Sequence, residues 1–334
     1  MLRNLLVALI LTALAVAIYA LVVIQAAIPS PQRTAALVAW GLSFGMLFLP
    51  GNPDLLLWPS ERLKHPLTLG APALILLVPY LVLTLFSGQF TWWGLLGGLL
   101  VLALPTAAAV VNGPQEATGL TPLDGAVILF LGAVMTWGWW PGAVYPGWAA
   151  VTGQPVVAFV PLVIALTAYL MGVVRRTTDF GYHWRLSRED GEWLATVFVA
   201  TLALALPLGF ASGAMTLGVP SLSPTRLLGQ IARCFFVVAL PPALLFQGVA
   251  QELVERRLGE KPWSPWAALA VGAVLFAASQ SLTLSLRHLG ELGMMAAVGL
   301  CCGYVYLRTR KVAVVALLYG LFLLVWWGLL SGRG

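Results

Sequence analysis

Long apolar stretches that follow one another along the chain limit its possible folds more than any other feature of the sequence. Of its 334 residues, 60% are hydrophobic and 9% are charged, whereas roughly 25% of the residues in a soluble domain are charged. Because a bilayer offers no water to backbone groups, apolar stretches of about 20 residues cross it as helices. The sequence therefore predicts an all-α polytopic membrane protein surrounded by the lipid bilayer.

The number of spans follows from counting these stretches between proline, glycine and charged residues. About eleven spans are predicted. Three of them are so short that a tilted or re-entrant helix is an alternative to a simple crossing. The first is 24 residues long, beyond the roughly 7–15 apolar residues of a signal peptide, so we expect it to be retained. The stretches are 5–28, 35–50, 67–86, 92–111, 124–140, 156–174, 193–212, 229–250, 265–285, 293–307 and 312–330, of which 35–50, 124–140 and 293–307 are the short ones.

Basic residues set the predicted orientation of these spans. If the N-terminus is inside, thirteen lysines and arginines fall on inside segments and five fall outside or at span edges. Cytoplasmic loops show this bias, so the N-terminus is predicted inside and the C-terminus outside. The net charge of +6 comes from these short loops, and no nucleic-acid partner is expected.

Residues suited to metal or hydrolase chemistry are few. Three cysteines and three histidines occur without metal-ligand spacing, so neither a metal nor another cofactor is predicted. Cys234, Cys301 and Cys302 lie in apolar stretches and are predicted to be buried packing residues. Ser43 in GLSFG has the spacing of a serine-hydrolase elbow, but that motif requires a strand before a sharp turn, and an apolar span surrounds Ser43.

An apolar helix with a polar, charged end is predicted at 239–259, ALPPALLFQGVAQELVERRLG, and Pro241 is expected to kink it. The run resembles the catalytic helix of the CPBP family, intramembrane proteases that include CAAX prenyl endopeptidases and bacteriocin-processing enzymes. The family's glutamate pair corresponds to Pro242 and Ala243, and its arginine corresponds to Gln247. The positions that agree with the family are Leu244, Leu245, Phe246, Gly248, Gln251, Leu253, Glu255, Arg256, Arg257, Leu258 and Gly259.

Two further family motifs show the same kind of replacement. Phe276 and Gln280 stand where the family has Phe-x-x-x-His, and Tyr319 and Leu323 stand where it has His-x-x-x-Asn or Asp. In the family a glutamate is the general base toward water, and His and Asn side chains support the developing oxyanion. The resemblance, which covers about 178–330, therefore implies a pseudoprotease without catalytic residues.

Three polar residues at these motif positions point to binding. Gln247, Gln280 and Tyr319 can donate and accept hydrogen bonds, and an unpaired polar group inside a membrane bundle costs several kcal/mol. We expect either a hydrogen-bonded network among the three or the binding of a polar headgroup, a peptide or a pigment.

Glu252 and Arg256 allow a different alignment with the family. Gln251-Glu252-x-x-x-Arg256 would keep the family's Glu-Glu-x-x-x-Arg spacing with one acid, which implies a divergent endopeptidase that uses Glu252 with Arg256. The alternative is a salt bridge at a helix end, because residues four apart share a helix face.

The resemblance also implies the organisation and function that we predict. A six-span membrane region of unknown relationship (1–174) precedes a cytoplasmic linker (175–192) and a CPBP-like membrane core (193–334). The predicted function is that of a catalytically silent scaffold, assembly factor or accessory subunit beside another integral membrane protein. A bacterial branch of the family implies the bacterial cytoplasmic (inner) membrane. A divergent endopeptidase and a lipid or pigment binder or carrier are the alternatives.

Tryptophans of the first region gather on the side predicted to be outside. They fit either an interfacial aromatic belt or a docking surface for a partner protein or a ligand. They are Trp92, Trp93, Trp137, Trp139, Trp140 and Trp148.

Overall fold

Most of the residues that the structure describes lie in helices. The computed structural model describes every residue except 1, 26–29, 52–65, 114–118, 137–154, 178–179, 217–223, 284–288 and 331–334. No strand occurs among the described residues, and they form eleven continuous helical stretches. The prediction of an all-α protein with about eleven helices is confirmed.

In chain order the helices are α1 (Leu2–Gln25), α2 (Ser30–Phe48, extended by the 3-10 turn Leu49–Gly51), α3 (66–86), α4 (Trp92–Asn112), α5 (Pro122–Thr136), α6 (155–174), α7 (Arg188–Ala211), α8 (224–258), α9 (Ser264–Thr283), α10 (Leu289–Thr309) and α11 (312–330). Among the described residues, six segments are long and apolar enough to cross a membrane: Gln32–Gly51, Thr68–Phe86, Trp92–Asn112, Arg188–Ala211, Leu227–Leu258 and Leu289–Thr309. Shorter apolar segments occupy parts of α1, α5, α6 and α11. The chain is therefore a multi-pass membrane protein whose helices contact the bilayer.

The chain divides into two compact units, of which the first comprises residues 1–116 and 129–178. Its centre is α2, against which α1, α6 and the second half of α3 pack. The ring of Tyr19 in α1 lies 5.1 Å from the ring of Trp40 and 5.5 Å from that of Phe44, both in α2, measured between centroids. Such aromatic contacts bury large apolar areas, so this cluster holds α1 to α2.

Arg175 stabilises one end of α4 in this first unit. Its side chain is buried and donates hydrogen bonds to the carbonyl oxygens of Asn112 and Gly113. The last carbonyls of a helix have no partner within the helix. The first residue of the predicted linker therefore acts as a helix cap.

The second unit comprises residues 117–128 and 179–334. In it α10 packs against α7 and α9, and α11 packs against α7, α8 and α10. The middle of α8 contacts α9, α10 and α11, and all nine residues of Ala243–Gln251 are buried. A helix segment that is buried all round is the centre of its bundle.

A capping box fixes the start of α7 in the second unit. The Ser187 hydroxyl accepts a hydrogen bond from the Asp190 backbone N–H at 3.2 Å, and Asp190 Oδ2 accepts one from the Ser187 N–H at 2.6 Å. This reciprocal pair satisfies donors that a helix start leaves open. Asp190 Oδ2 also lies 2.5 Å from Lys311 Nζ, which ties the start of α7 to the start of α11.

Candidate functional site

Pro241 and Pro242 lie inside a continuous helix. α8 is helical from 224 to 258, but π-helical turns, Arg233–Ala239 and Ala243–Gln251, flank the short α-helical piece Leu240–Pro242. A proline lacks the backbone N–H and its ring crowds the carbonyl four residues earlier, and wider turns with i to i+5 bonding relieve both problems. The structure shows a change of helix type around these prolines, and the kink expected at Pro241 stays a prediction.

The positions of the family's glutamate pair lie in a close-packed, apolar part of the second unit. Pro242 and Ala243 are both buried. Five residues further on, a Cβ added to Gly248 would lie 2.6 Å from Val312 Cγ2 and 3.1 Å from the Phe180 carbonyl oxygen. Neither the Pro242 nor the Ala243 side chain can take up a proton, so this part of α8 supplies no general base.

Gln280 and Tyr319 meet across α9 and α11. The Tyr319 hydroxyl donates a hydrogen bond of 2.7 Å to Gln280 Oε1, and Gln280 Nε2 donates one of 3.2 Å to Ser279 Oγ. The Tyr319 ring packs edge-on against Phe276, with centroids 4.9 Å apart. The structure therefore brings three of the motif positions together, and two of them are hydrogen-bonded to each other.

Gln247 is not part of this hydrogen-bonded pair. Its side chain is fully buried, and neither Nε2 nor Oε1 has a hydrogen-bond partner among the described residues. The expected three-membered network is thus limited to Gln280 and Tyr319. Leu323, one turn beyond Tyr319 on α11, is also fully buried and contributes only apolar packing.

Gln251 joins α8 to its neighbours through two glycines. Its Nε2 donates a hydrogen bond of 3.2 Å to the Gly303 carbonyl oxygen in α10. A Cβ added to Gly303 or to Gly272 in α9 would lie 3.2 or 3.3 Å from Gln251 Oε1. Small residues let helices approach closely in membranes, and here they make room for a buried amide.

Glu252 lies at the end of α8 in a cluster of ion pairs. Its Oε1 is 2.9 Å from Arg256 Nε, and its Oε2 is 2.8 Å from Arg310 NH1. Arg310 also bridges both carboxylate oxygens of Glu255, at 2.6 and 2.9 Å. The predicted Glu252–Arg256 salt bridge is present, and it belongs to a larger network.

Arg310 is the residue of this cluster that the motifs did not indicate. It follows α10 directly and adopts a left-handed backbone conformation, with φ of 51°. Burial acts to lower the pKa of its guanidinium, but hydrogen bonds and charges from Glu255 and Glu252 outweigh burial and raise that pKa. In the sequence, Arg310 stands out only as a basic residue in a short loop, and such residues indicate the orientation of the spans.

The other candidates are placed as follows. Among the described residues, no group of three or more His, Cys, Asp or Glu is placed to hold a metal ion. Cys234, Cys301 and Cys302 are buried free thiols, as predicted, and Ser43 is buried within the helix α2.

Trp92 and Trp93, at the start of α4, are 72% and 83% exposed. The remaining tryptophans of that group, Trp137, Trp139, Trp140 and Trp148, lie outside the described residues.

The fold and this site define a membrane-embedded helical bundle whose central helix carries the buried amides of Gln247 and Gln251 among apolar residues. Residues 224–325, from the start of α8 into α11, match the family model of the type II CAAX prenyl endopeptidases, described as Rce1-like. The C-terminal region of the chain is therefore similar to the CPBP, or CAAX protease, family. No curated protein and no solved structure matches the chain.

Proposed function

We propose that this chain is a catalytically silent member of the family, acting as a scaffold, assembly factor or accessory subunit beside another integral membrane protein. The observation that carries the proposal is the identity and burial of the residues at the glutamate positions. Pro242 and Ala243 are buried in an apolar, close-packed part of α8. Without a carboxylate there, the helix cannot activate water for attack on a peptide bond.

The remaining motif positions support the same proposal. A Gln280 amide and a Tyr319 hydroxyl replace the two histidines, and they are hydrogen-bonded to each other at 2.7 Å. A neutral amide does not exchange protons as an imidazole does. The pair therefore stabilises packing between α9 and α11, and it supplies no imidazole at either position.

A divergent endopeptidase using Glu252 is the rival. Glu252 and Glu255 are the two acidic residues of α8, and Glu252 lies nine residues beyond Ala243, roughly 13 Å along a helix axis at 1.5 Å per residue. Both oxygens of Glu252 are engaged by arginines, Arg256 and Arg310. With both carboxylate oxygens held by arginines, Glu252 is not placed to take a proton from an attacking water, which favours a structural role.

A lipid or pigment binder is the second candidate, and Gln247 is the observation that favours it. A buried amide without a partner loses the hydrogen bonds that it made to water. A bound carbonyl, hydroxyl or phosphate group would restore them. In this role Gln247 would hold the polar end of a ligand whose apolar part lies among the helices.

We place the chain in the bacterial cytoplasmic membrane, with the N-terminus inside, the C-terminus outside, and residues 175–192 as a cytoplasmic linker between a first region (1–174) and a CPBP-like core (193–334). The thirteen-to-five bias of basic residues supports this orientation. Labelling of single introduced cysteines by a membrane-impermeant maleimide tests it. We expect a cysteine in the linker to be protected in intact cells and one after residue 330 to react.

The accessory role is tested by purifying the tagged chain from its own membranes in a mild detergent. Native mass spectrometry and absorption of the intact particle identify what accompanies it. We expect one integral membrane protein, with or without a pigment, at a fixed ratio to the chain. Recovery of the chain alone under conditions that preserve other membrane complexes would contradict the accessory role.

The exposed tryptophans of the first region allow a sharper version of this experiment. Trp92 and Trp93 lie at the start of α4 with most of their surfaces exposed. If they dock a partner, W92A/W93A should release it. A matched variant at an exposed apolar site in the middle of the same helix, L100A, should retain it, because Leu100 is 48% exposed and faces away from the core.

A further inference from the structure

A cluster of aromatic rings and one arginine lies where the ends of α7, α9 and α10 come together in the second unit. Its members are Trp193 in α7, Trp266 in α9, and Tyr304 and Arg308 in α10; together they are called the aromatic-arginine patch. The Arg308 guanidinium carbon lies 5.0 Å from the centroid of the Trp193 ring and 5.2 Å from that of Tyr304. The arginine is thus held against two aromatic faces.

Ring contacts and hydrogen bonds hold the patch in one shape. The Trp193 and Tyr304 rings meet edge to face at 6.2 Å, and the Trp266 ring stacks on that of Tyr304 at 6.3 Å. Arg308 Nε and NH2 both donate to the Tyr304 hydroxyl, at 3.1 and 3.0 Å. A guanidinium has five N–H donors, so this arrangement leaves other donors open on an exposed side chain.

The charge of Arg308 is not balanced within the described part of the chain. Arg308 is exposed, and no described carboxylate lies within ion-pair distance of it. Arg310 and Lys311, which follow it, are paired with Glu252, Glu255 and Asp190. The patch therefore offers a fixed, unneutralised positive charge, which an anion would complement.

Apolar side chains on the same helices place the patch next to the bilayer. Large apolar residues are exposed a few residues into each helix, within roughly 6–12 Å along the axis at 1.5 Å per residue. They are Val199 in α7, Val271 in α9 and Leu300 in α10, with exposures of 67%, 40% and 46%. Tryptophan, tyrosine and arginine beside such residues are typical of the headgroup level of a membrane.

A second basic residue, Lys261, lies just before the start of α9. Lys261 Nζ is 5.3 Å from the centroid of the Trp263 ring, and Trp263 and Trp266 are 51% and 57% exposed. Both tryptophans flank the first turn of α9. The exposed surface at this end therefore combines positive charge with aromatic rings, as recognition of a lipid phosphate requires.

We propose that the aromatic-arginine patch binds the headgroup of an anionic phospholipid. The Arg308 guanidinium contacts the lipid phosphate, and the exposed faces of Trp266 and Trp263 lie against the glycerol and upper acyl region. This site is separate from the Gln247 region and does not depend on whether the chain is catalytically silent. It gives the core a preference for anionic over zwitterionic lipid.

The test measures lipid retention by the full chain with native mass spectrometry. The protein in detergent is titrated with phosphatidylglycerol or with phosphatidylcholine of the same acyl chains. We expect the wild type to retain phosphatidylglycerol preferentially. R308Q should reduce that preference about fivefold, the effect of one basic residue near an anionic surface. R308K should give an intermediate value, because lysine keeps the charge but lacks the planar group that stacks on rings.

R188Q is the matched control. Arg188, at the start of α7, is also exposed, but it pairs with Glu192 at 3.0 Å and lies outside the ring contacts of the aromatic-arginine patch. R188Q should leave the preference for phosphatidylglycerol unchanged, and W266L should lower it. Equal losses in R188Q and R308Q would show general attraction to charge and would overturn the proposal, as would an unchanged preference in R308Q.

Discussion

Tyr319 and Gln280 form a hydrogen bond of 2.7 Å between α11 and α9, at positions where the family's motifs carry histidines. Both side chains are buried, and the Tyr319 ring also packs against Phe276. Two polar groups that would each be costly alone inside the bundle satisfy each other. Tyr319 and Gln280 are therefore part of the packing of the core.

Removing the Tyr319 hydroxyl should destabilise the protein. Tyr319→Phe keeps the ring against Phe276 but leaves Gln280 Oε1 buried without its partner, at a cost of about 1–3 kcal/mol. The measurement is the free energy of unfolding in mixed micelles, titrated with a denaturing detergent. The double variant Y319F/Q280L should be closer to the wild type than Y319F, because both polar groups are then gone. Additive losses in the double variant would contradict this pairing.

Replacing Gln247 should change the free energy of unfolding in the opposite direction. Its amide is buried and unpartnered, so Gln247→Met removes polar atoms that cost about 1–3 kcal/mol to bury. We expect unchanged or increased stability in the same unfolding titration. Gln251→Met is the matched control: Gln251 Oε1 also has no hydrogen-bond partner among the described residues, but Gln251 Nε2 donates to the Gly303 carbonyl oxygen, so Q251M should be less stable than Q247M by about 0.5–1.5 kcal/mol. A larger loss in Q247M than in Q251M would instead favour a ligand bound at Gln247.

Gly248 should not tolerate a methyl group. A Cβ there would lie 2.6 Å from Val312 Cγ2 and 3.1 Å from the Phe180 carbonyl oxygen, and valine has little freedom to move aside. Gly248→Ala is expected to cost about 1–3 kcal/mol through overpacking. Gly293→Ala in α10 is the control, because its Cβ would meet nothing within 4 Å and alanine favours a helix by about 1 kcal/mol. Melting temperatures in one detergent compare the two, and a similar shift in both would contradict the expectation.

Arg310 should matter more to stability than an exposed arginine. Arg310→Gln leaves Glu252 and Glu255 without the guanidinium that bridges them. Loss of a buried ion-pair partner costs about 3–5 kcal/mol, and the 40% exposure of the Arg310 side chain reduces our expectation to about 1–3 kcal/mol because solvent screens the remaining charges. Arg188→Gln, with a 94% exposed side chain, should change the unfolding free energy by less than about 0.5 kcal/mol. Equal changes in the unfolding free energy of R310Q and R188Q would indicate that the ion pairs of Arg310 contribute little to stability.

The helices of this chain could be predicted from the sequence because the bilayer imposes a simple requirement. Long apolar stretches must satisfy their own backbone groups. The predicted stretches and the eleven helical segments differ by five residues or fewer at their ends, except that α8 ends eight residues later than predicted. The response to Pro241 and Pro242 was harder to foresee. A proline permits a break, a kink or wider turns, and packing by neighbouring helices selects among these.

The candidate site could be predicted in part. The alignment of Gln280 and Tyr319 with family motifs predicted their proximity, and the structure shows the hydrogen bond. The isolation of Gln247 and the bridging role of Arg310 were not predicted. Both depend on contacts between residues far apart in sequence, and Arg310 reaches Glu252 across 58 positions. No periodic pattern marks such a contact.

A cleavage assay tests the central claim, catalytic silence, most directly. The full chain, reconstituted in lipid vesicles, is incubated with prenylated peptides ending in a CaaX sequence, and products are measured by mass spectrometry. An active CAAX protease in matched vesicles verifies the substrates. We predict no product above that of E252Q or of empty vesicles. Cleavage by the wild type would contradict the account, and its loss in E252Q would identify Glu252 as the catalytic carboxylate.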